Sequence, residues 1–456
     1  MHGPDAAQEA CGVFGVWTDD AHRAVPLIRY GLHALQHRGQ EAAGIAVSHG
    51  GRLQGHKDKG LVSQVLAPAL TTWLRGEAGI GHTRYSTAGS LDRGHAQPFF
   101  GTLPDGGAFA LAHNGTIADL GAGDGTGKSD SELLAELISR QPGALGEALL
   151  RLLPHVGGAW SILLLDEHHL FGARDPHGFR PLCLGALDDG GWVLASESSA
   201  LSAVGARLVR EVEPGELIIV GPSGPRSFRF APALPRLCAL EHVYLARADS
   251  RLAGSSVHAT RRELGRELAA EAPAPGDVIV PVPATATTAA LGFAERSRIP
   301  YQEGLLCNRY VGRTFIEPTQ QLRDLAVRLK LSPVPDVVDG RRVVLVDDSI
   351  VRGSTTRAVI RMLREAGAAE IHLRIASPPV MWTCPYGVDI AAREELVAAD
   401  RTVPAVAGLL GADSLGYLSV EALTRVCRSP GSGLCTACFT GEYPTATTPA
   451  HDRASV

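Results

Sequence analysis

Between positions 343 and 356 the chain reads Val343-Val344-Leu345-Val346-Asp347-Asp348-Ser349-Ile350-Val351-Arg352-Gly353-Ser354-Thr355-Thr356. Four consecutive apolar residues predict a strand buried on both faces, as in a parallel sheet covered by helices. Two carboxylates stand at its carboxyl end, where open α/β sheets bind their ligands. A loop containing Gly353 follows, then a helix whose first turn carries Ser354, Thr355 and Thr356. Along that helix Ala358, Val359, Met362, Leu363 and Ala366 recur at three- and four-residue spacing until Gly367 stops it. Backbone N–H groups, hydroxyls and the helix dipole at such a turn favour an anion such as a phosphate. The acids and threonines alone also fit a helix that is merely capped. Acids before the loop combined with hydroxyls after it favour a ligand site.

The surroundings agree with a βαβ unit. Helical patterns over 259–271, 288–296 and 355–366 alternate with strand patterns over 277–282, 343–346 and 370–376, which predicts a parallel α/β sheet. The preceding half is different. Short apolar runs at 12–17, 44–47, 159–165 and 191–195 lie between Gly-rich turns, with helical stretches only near 25–36 and 131–140, a mixed α+β pattern. A length of 456 residues, against ~100–200 per domain, predicts two domains or three. The Pro- and Gly-rich stretch 221–235 suits the connection, placing a first domain at 11–235 and a second at 236–456.

Composition excludes several classes. A net charge of −5 lacks the basic excess of a nucleic-acid binder, so no nucleic-acid polymer is expected as a partner. No apolar run approaches the ~20 residues of a membrane span. The start has neither a basic nor an apolar signal region, and a cytoplasmic location without membrane association is expected. Eight cysteines in a reducing compartment point to metal binding or catalysis rather than disulfides.

The 343–356 string resembles the phosphoribosylpyrophosphate-binding signature of type I phosphoribosyltransferases. That resemblance implies that Asp347 and Asp348 hold the ribose hydroxyls, directly or through Mg2+. It also implies that Arg352, Gly353, Ser354, Thr355 and Thr356 hold the 5′-phosphate. Pyrophosphate leaving an oxocarbenium-like ribose needs charge neutralisation, which Mg2+ supplies. Thr285, in Pro281-Val282-Pro283-Ala284-Thr285-Ala286, is either a further ligand for metal or pyrophosphate or simply a helix N-cap.

In the first half, Cys11-Gly12-Val13-Phe14-Gly15 alone reads as a small residue opening a buried strand. It is followed in order by Leu35-Gln36-His37-Arg38-Gly39-Gln40-Glu41, Gly81-His82-Thr83-Arg84-Tyr85-Ser86-Thr87, His113-Asn114-Gly115 and Ser129-Asp130-Ser131-Glu132. As a set these resemble the glutaminase domain of class II, N-terminal-nucleophile amidotransferases, over roughly residues 11–220, implying an αββα sandwich. By that resemblance Cys11 is the nucleophile, freed by removal of a propeptide, residues 1–10. An α-amine with a pKa of ~7.7–8.0 can then take its thiol proton. Asn114 and the Gly115 N–H would receive the oxyanion. Arg84 would clamp the glutamine α-carboxylate, and Asp130 the α-ammonium. Arg84 also fits a surface ion pair. Asp130 also fits the first turn of a helix opened by a Ser129/Glu132 capping box, and both roles are compatible.

Joined, the two halves resemble the glutamine phosphoribosylpyrophosphate amidotransferase family over nearly the whole chain, including Cys307-Asn308-Arg309-Tyr310-Val311-Gly312-Arg313-Thr314-Phe315-Ile316-Glu317-Pro318. The resemblance implies transfer of glutamine amide nitrogen to phosphoribosylpyrophosphate, as the first committed step of purine synthesis. In the family the Arg309 and Arg313 loop closes over the pyrophosphate; solvated arginines are the plain alternative. The resemblance further implies inhibition by purine nucleotides and a homo-oligomer, a tetramer. Departures from the family are Cys307 for a usual Lys, Ala284 for an acid and Thr285 for Ser. They bear on the metal contact and on nucleotide feedback. Cys238, Cys384, Cys435 and Cys438 resemble the iron–sulfur ligands of bacterial members, implying a structural 4Fe-4S cluster, although spacing alone does not separate that from zinc. Cys183, Cys307 and Cys427 read as ordinary thiols, and residues 445–456 as a loose tail. Two rival readings are another class II amidotransferase, opposed by the 343–356 string, and an inactive ligand sensor, opposed by Cys11, Asn114, Gly115 and Asp130.

Overall fold

A computed structural model describes residues 11–85, 95–118, 128–308, 325, 327–388, 390, 392–428, 431 and 433–445. In the first half two antiparallel sheets face each other. One runs in the spatial order Arg207–Glu211, Cys183–Ala186, Trp192–Ala195, Gly12–Trp17, Ala78–Arg84, Ala42–His49, Arg52–Lys59. The other runs Gly224–Arg229, Glu216–Gly221, Leu170–Arg174, Gly157–Leu165, Ala108–Ala118, Phe99–Thr102. Alternation along these strands sends Val13, Ala46, Ile80, Ala110, Ala112, Leu163 and Leu165 into the space between the sheets. On the outer face of the first sheet, Ile28 and Leu32 of helix Ala24–Ala34 pack with Phe14, Ile45 and Val47. Helices Asp130–Ser139 and Leu145–Leu152 cover the second sheet through Leu134, Ile138 and Leu149, packed with Phe109, Leu111 and Trp160. Burying each such aliphatic side chain contributes about 1.5–3 kcal/mol. The result is the expected αββα layering.

The connection between the halves is shorter than its composition suggests. Within 221–235, Gly224–Arg229 forms an edge strand paired antiparallel with Glu216–Gly221, Pro225 lying opposite Val220. An edge position tolerates a proline that a central strand would reject. Phe228 and Phe230 pack against the helix-covered core.

Beyond the connection, four parallel strands lie in the order Val278–Pro281, Arg342–Asp347, Glu370–Ile375, Ser414–Tyr417. Val343 and Leu345 share one core with Val359 and Leu363 of helix Ser354–Glu365, while Val344 and Val346 share another with Leu264, Leu268 and Phe293. Both faces of the strand are buried, as its unbroken apolar run predicts. Among the described residues no helix is long and apolar enough to cross a membrane.

Candidate active sites

Cys11 stands one residue before strand Gly12–Trp17, whose register pairs Gly12 with Thr83 and so brings the thiol to the end of Ala78–Arg84. Its Sγ lies 3.7 Å from the Tyr85 carbonyl, a weak thiol donor contact. Burial pushes the thiol above its ordinary range, and the Arg84 charge opposes that push. A half-buried cysteine whose thiolate is disfavoured in this way needs a base close by to become a nucleophile. Arg84 is half-buried and has no ion-pair partner among the described residues.

His113-Asn114-Gly115 lies on strand Ala108–Ala118 of the opposite sheet. His82 Nε2 donates to the His113 carbonyl at 3.0 Å, tying the Cys11 sheet to this strand. Burial pushes the His82 imidazole down to about 3, so it stays neutral. Asn114 is fully buried, and neither its Nδ2 nor its Oδ1 has a hydrogen-bond partner. An unpaired buried amide costs about 1–3 kcal/mol, which a site completed by a ligand can tolerate. Gly115 has φ +127°, and a Cβ there would sit 2.0 Å from the Ala159 carbonyl oxygen, so only glycine fits.

A polar network holds this turn against the helix that carries Asp130. The Gln97 Oε1 accepts from His113 N at 2.7 Å, and its Nε2 donates to Ser131 Oγ at 3.1 Å. Ser131 Oγ lies 2.9 Å from His113 Nδ1 and donates to Asp130 Oδ1 at 3.3 Å. Asp130 also accepts from Ile117 N at 2.9 Å and Ser131 N at 2.8 Å. The expected capping box is formed: Ser129 Oγ accepts from Glu132 N at 3.3 Å, and Glu132 Oε2 accepts from Ser129 N at 2.8 Å. Sequence reasoning missed Gln97, because a lone glutamine before a proline carries no periodic or motif signal.

In the second half, Asp347 ends strand Arg342–Asp347 and accepts from the Asp348 N–H at 2.9 Å. Asp348 accepts from Ser349 Oγ at 2.8 Å and from Thr285 Oγ1. The N-cap alternative for Thr285 fails, since helix Thr287–Ser297 is preceded by Ala286 at its N-cap. Burial pushes both carboxyls upward, with the Asp348 charge adding to the rise at Asp347. Thr285 and Ser349 pull Asp348 the other way, as does the buried Arg261, which is held by the carbonyls of His242 and Ala246 at 2.7 Å each. Two such carboxyls suit a hard divalent cation, which would stabilise their charged forms together. Gly353, with φ +80°, opens helix Ser354–Glu365 and places Ser354, Thr355 and Thr356 in its first turn. Arg352 donates to Glu395 at 2.8 Å on the loop's edge. Arg309 and Arg313 lie outside the described residues, as do residues 1–10 and 446–456.

The four cysteines converge from three segments. Leu237–Cys238 pairs in parallel with Leu434–Cys435, with Cys238 opposite Cys435. Cys438 lies in helix Ala437–Thr440, and Cys384 Sγ accepts from Tyr386 N at 3.4 Å. Burial pushes Cys238 up to about 12 and also raises Cys438, the latter with help from the charges of Cys238, Cys384 and Cys435. A bound cation would reverse that penalty. Among the described residues no three His, Cys, Asp or Glu groups are placed to share one metal ion. Cys183 and Cys427 are buried thiols.

A buried charge network at the junction was invisible in the sequence. Arg38 donates to Glu197 and Glu241 at 2.5 Å each, and Arg180 reaches Glu241 at 3.4 Å, all at 0–1% side-chain exposure. Its partners lie 159, 203 and 61 positions apart.

The chain is similar to known proteins in both sequence and fold. A glutamine amidotransferase domain model matches residues 82–203. The amidophosphoribosyltransferase of Mycobacterium tuberculosis H37Rv is 48% identical, over 96% of this chain and 87% of its own length. That of Bacillus subtilis is 44% identical, over 96% and 94%. A solved structure described as the allosteric regulatory enzyme of purine biosynthesis superposes with TM-score 0.89 at 44% identity, covering 95% of this chain and 96% of that one. The Bacillus subtilis glutamine phosphoribosylpyrophosphate amidotransferase complexed with ADP and GMP gives 0.87 at 43% identity, covering 95% and 97%.

Proposed function

Because the chain belongs to the amidophosphoribosyltransferase family, we propose a division of its reaction between the two sites just described. The reaction transfers the amide nitrogen of glutamine to 5-phosphoribosyl 1-pyrophosphate, giving 5-phosphoribosylamine, pyrophosphate and glutamate, the first step of purine biosynthesis. Residues 11–235 release the nitrogen and residues 236–456 accept it.

In the first site, removal of residues 1–10 leaves Cys11 with a free α-amine. That amine takes the thiol proton, offsetting the burial that disfavours the thiolate. The sulfur adds to the glutamine side-chain carbonyl. Charge developing on the carbonyl oxygen is received by Asn114 Nδ2 and the Gly115 N–H. The α-ammonium returns its proton to the leaving nitrogen as the C–N bond breaks, and water hydrolyses the thioester to glutamate. Arg84 receives the substrate α-carboxylate and Asp130 the α-ammonium. The observation that carries this reading is the buried, unpartnered amide of Asn114 beside a position that admits only glycine.

In the second site the loop of Arg352, Gly353, Ser354, Thr355 and Thr356 receives the 5′-phosphate. Asp347 and Asp348 orient the ribose hydroxyls and, with Thr285, hold Mg2+. Bound there, Mg2+ supplies charge neutralisation for the departing pyrophosphate. Arg309 and Arg313 complete the pyrophosphate contacts. Cys238, Cys384, Cys435 and Cys438 would hold a 4Fe-4S cluster in a structural role. Purine nucleotides inhibit, in keeping with the ADP and GMP named for the Bacillus subtilis structure. The working form is a cytoplasmic homo-oligomer, a tetramer by family likeness.

Glutamine hydrolysis tests this reading when followed with and without phosphoribosylpyrophosphate and Mg2+. Glutamate and pyrophosphate are expected in equal amounts, from a protein whose N-terminal sequence begins at Cys11. Active enzyme that still begins at Met1 contradicts the nucleophile assignment.

A further inference from the structure

We propose that the second half of the chain forms one wall of the first half's oxyanion site, with Gly387 as a positioning residue for Gly115. The inference rests on the reading of Asn114 and Gly115 as the oxyanion donors. A Cβ built on Gly387 would lie 2.9 Å from the Gly115 carbonyl carbon, 2.9 Å from Thr116 Oγ1 and 3.1 Å from Gly115 Cα. Gly115 is already closed on another side by the Ala159 carbonyl. Its backbone is therefore gripped between a strand of its own sheet and a turn from the transferase half.

That turn is itself held from both halves. The Tyr386 carbonyl accepts from Arg180 Nε at 3.1 Å and from Arg180 Nη2 at 2.5 Å. The Tyr386 ring stacks on Phe179, with centroids 4.3 Å apart and planes inclined by 16°. Its N–H donates to Cys384 Sγ at 3.4 Å. Arg180 is fully buried and paired with Glu241 at the junction. An oxyanion donor works only when it meets the developing charge at hydrogen-bond distance, and a misplacement of ~1 Å can cost 10²-fold in rate. A wall contributed by the acceptor half makes amide cleavage depend on how the two halves are seated.

The test is Gly387→Ala in the mature, full-length enzyme, assayed with glutamine and separately with ammonia, beside Asn114→Ala. The added methyl is expected to lower kcat with glutamine by roughly 10–100-fold. KM for glutamine should change little, because Arg84 and Asp130 are untouched. Ammonia-dependent synthesis should stay within about twofold and serves as the control for folding. Gly387 has φ +86°, where any side chain is strained. Tyr386→Leu, which removes the ring stack at a position without that strain, should therefore show the same selective loss. Equal losses with both nitrogen donors in both variants, or unchanged use of glutamine, would overturn the inference. If Asn114→Ala is impaired with glutamine and the Gly387 and Tyr386 variants are not, only the wall fails. If Asn114→Ala uses glutamine normally, the oxyanion assignment fails and the wall with it.

Discussion

Around Asn114, the residues His113, Ser131, Gln97 and Asp130 are bonded to one another, while the Asn114 amide has no hydrogen-bond partner. Around Asp347, by contrast, this part-buried carboxyl and the buried Asp348 carboxyl sit side by side, each disfavoured in its charged form by its removal from water. The first site is assembled by its own hydrogen bonds, which leave the Asn114 amide open to a substrate oxygen. The second carries a cost that a cation and a phosphorylated sugar would relieve. Amide cleavage depends on geometry fixed before substrate arrives, whereas pyrophosphate departure depends on charge brought in with the ligands.

Substitutions that touch only one of these two modes would sharpen the contrast. The largest effect common to both nitrogen donors is expected at Asp348. In Asp348→Asn, loss of a charged ligand for Mg2+ should lower pyrophosphate release by about 10³-fold, corresponding to the several kcal/mol that such an ion contributes. The loss should be the same whether glutamine or ammonia supplies nitrogen, measured in parallel assays. A defect confined to glutamine would erase the distinction between the sites.

A smaller and one-sided effect is expected at Gln97. Gln97→Leu removes the bonds to His113 N and Ser131 Oγ, loosening the oxyanion turn against the helix bearing Asp130. We expect kcat/KM for glutamine to fall about 10-fold, in line with a preorganised donor losing its support. Steady-state assays with ammonia should show no change.

Much of the second site was legible because its parts are contiguous: acids, glycine and hydroxyls follow one another within the 343–356 string, so strand, loop and helix could be assigned from local pattern. The first site is spread over strands from both sheets, and its pieces were joined only through family resemblance. Gln97 left no trace because its importance lies in two partners, at positions 113 and 131, that only folding brings near. The Arg38–Glu241 contact spans 203 positions and was hidden for the same reason. The strand Gly224–Arg229 was misread as part of a connection because an edge strand can carry proline and exposed polar residues without the alternation of a half-buried one.

The smallest expected effect concerns stability and pH. His82 is pushed down to about 3 in the fold, against ~6.5 when unfolded. Between those values the unfolded chain binds the extra proton. The His82 contribution is therefore complete above about pH 6.5 and is lost as pH falls toward 3, at about 1.4 kcal/mol per pH unit. In His82→Gln, the drop in unfolding free energy from pH 7 to pH 5 should be smaller than in the parent by about 2 kcal/mol, read by chemical denaturation. An identical pH dependence in the two proteins would show that His82 is not held neutral by burial.

The division of labour is tested most directly by pyrophosphate release from the mature Cys11→Ser enzyme supplied with phosphoribosylpyrophosphate, Mg2+ and ammonia. The rate is expected to remain within about twofold of the parent, while glutamine no longer serves as donor, the loss of a nucleophile costing ~10⁴-fold or more. If ammonia-dependent release disappears together with glutamine use, the two regions do not work as separate sites.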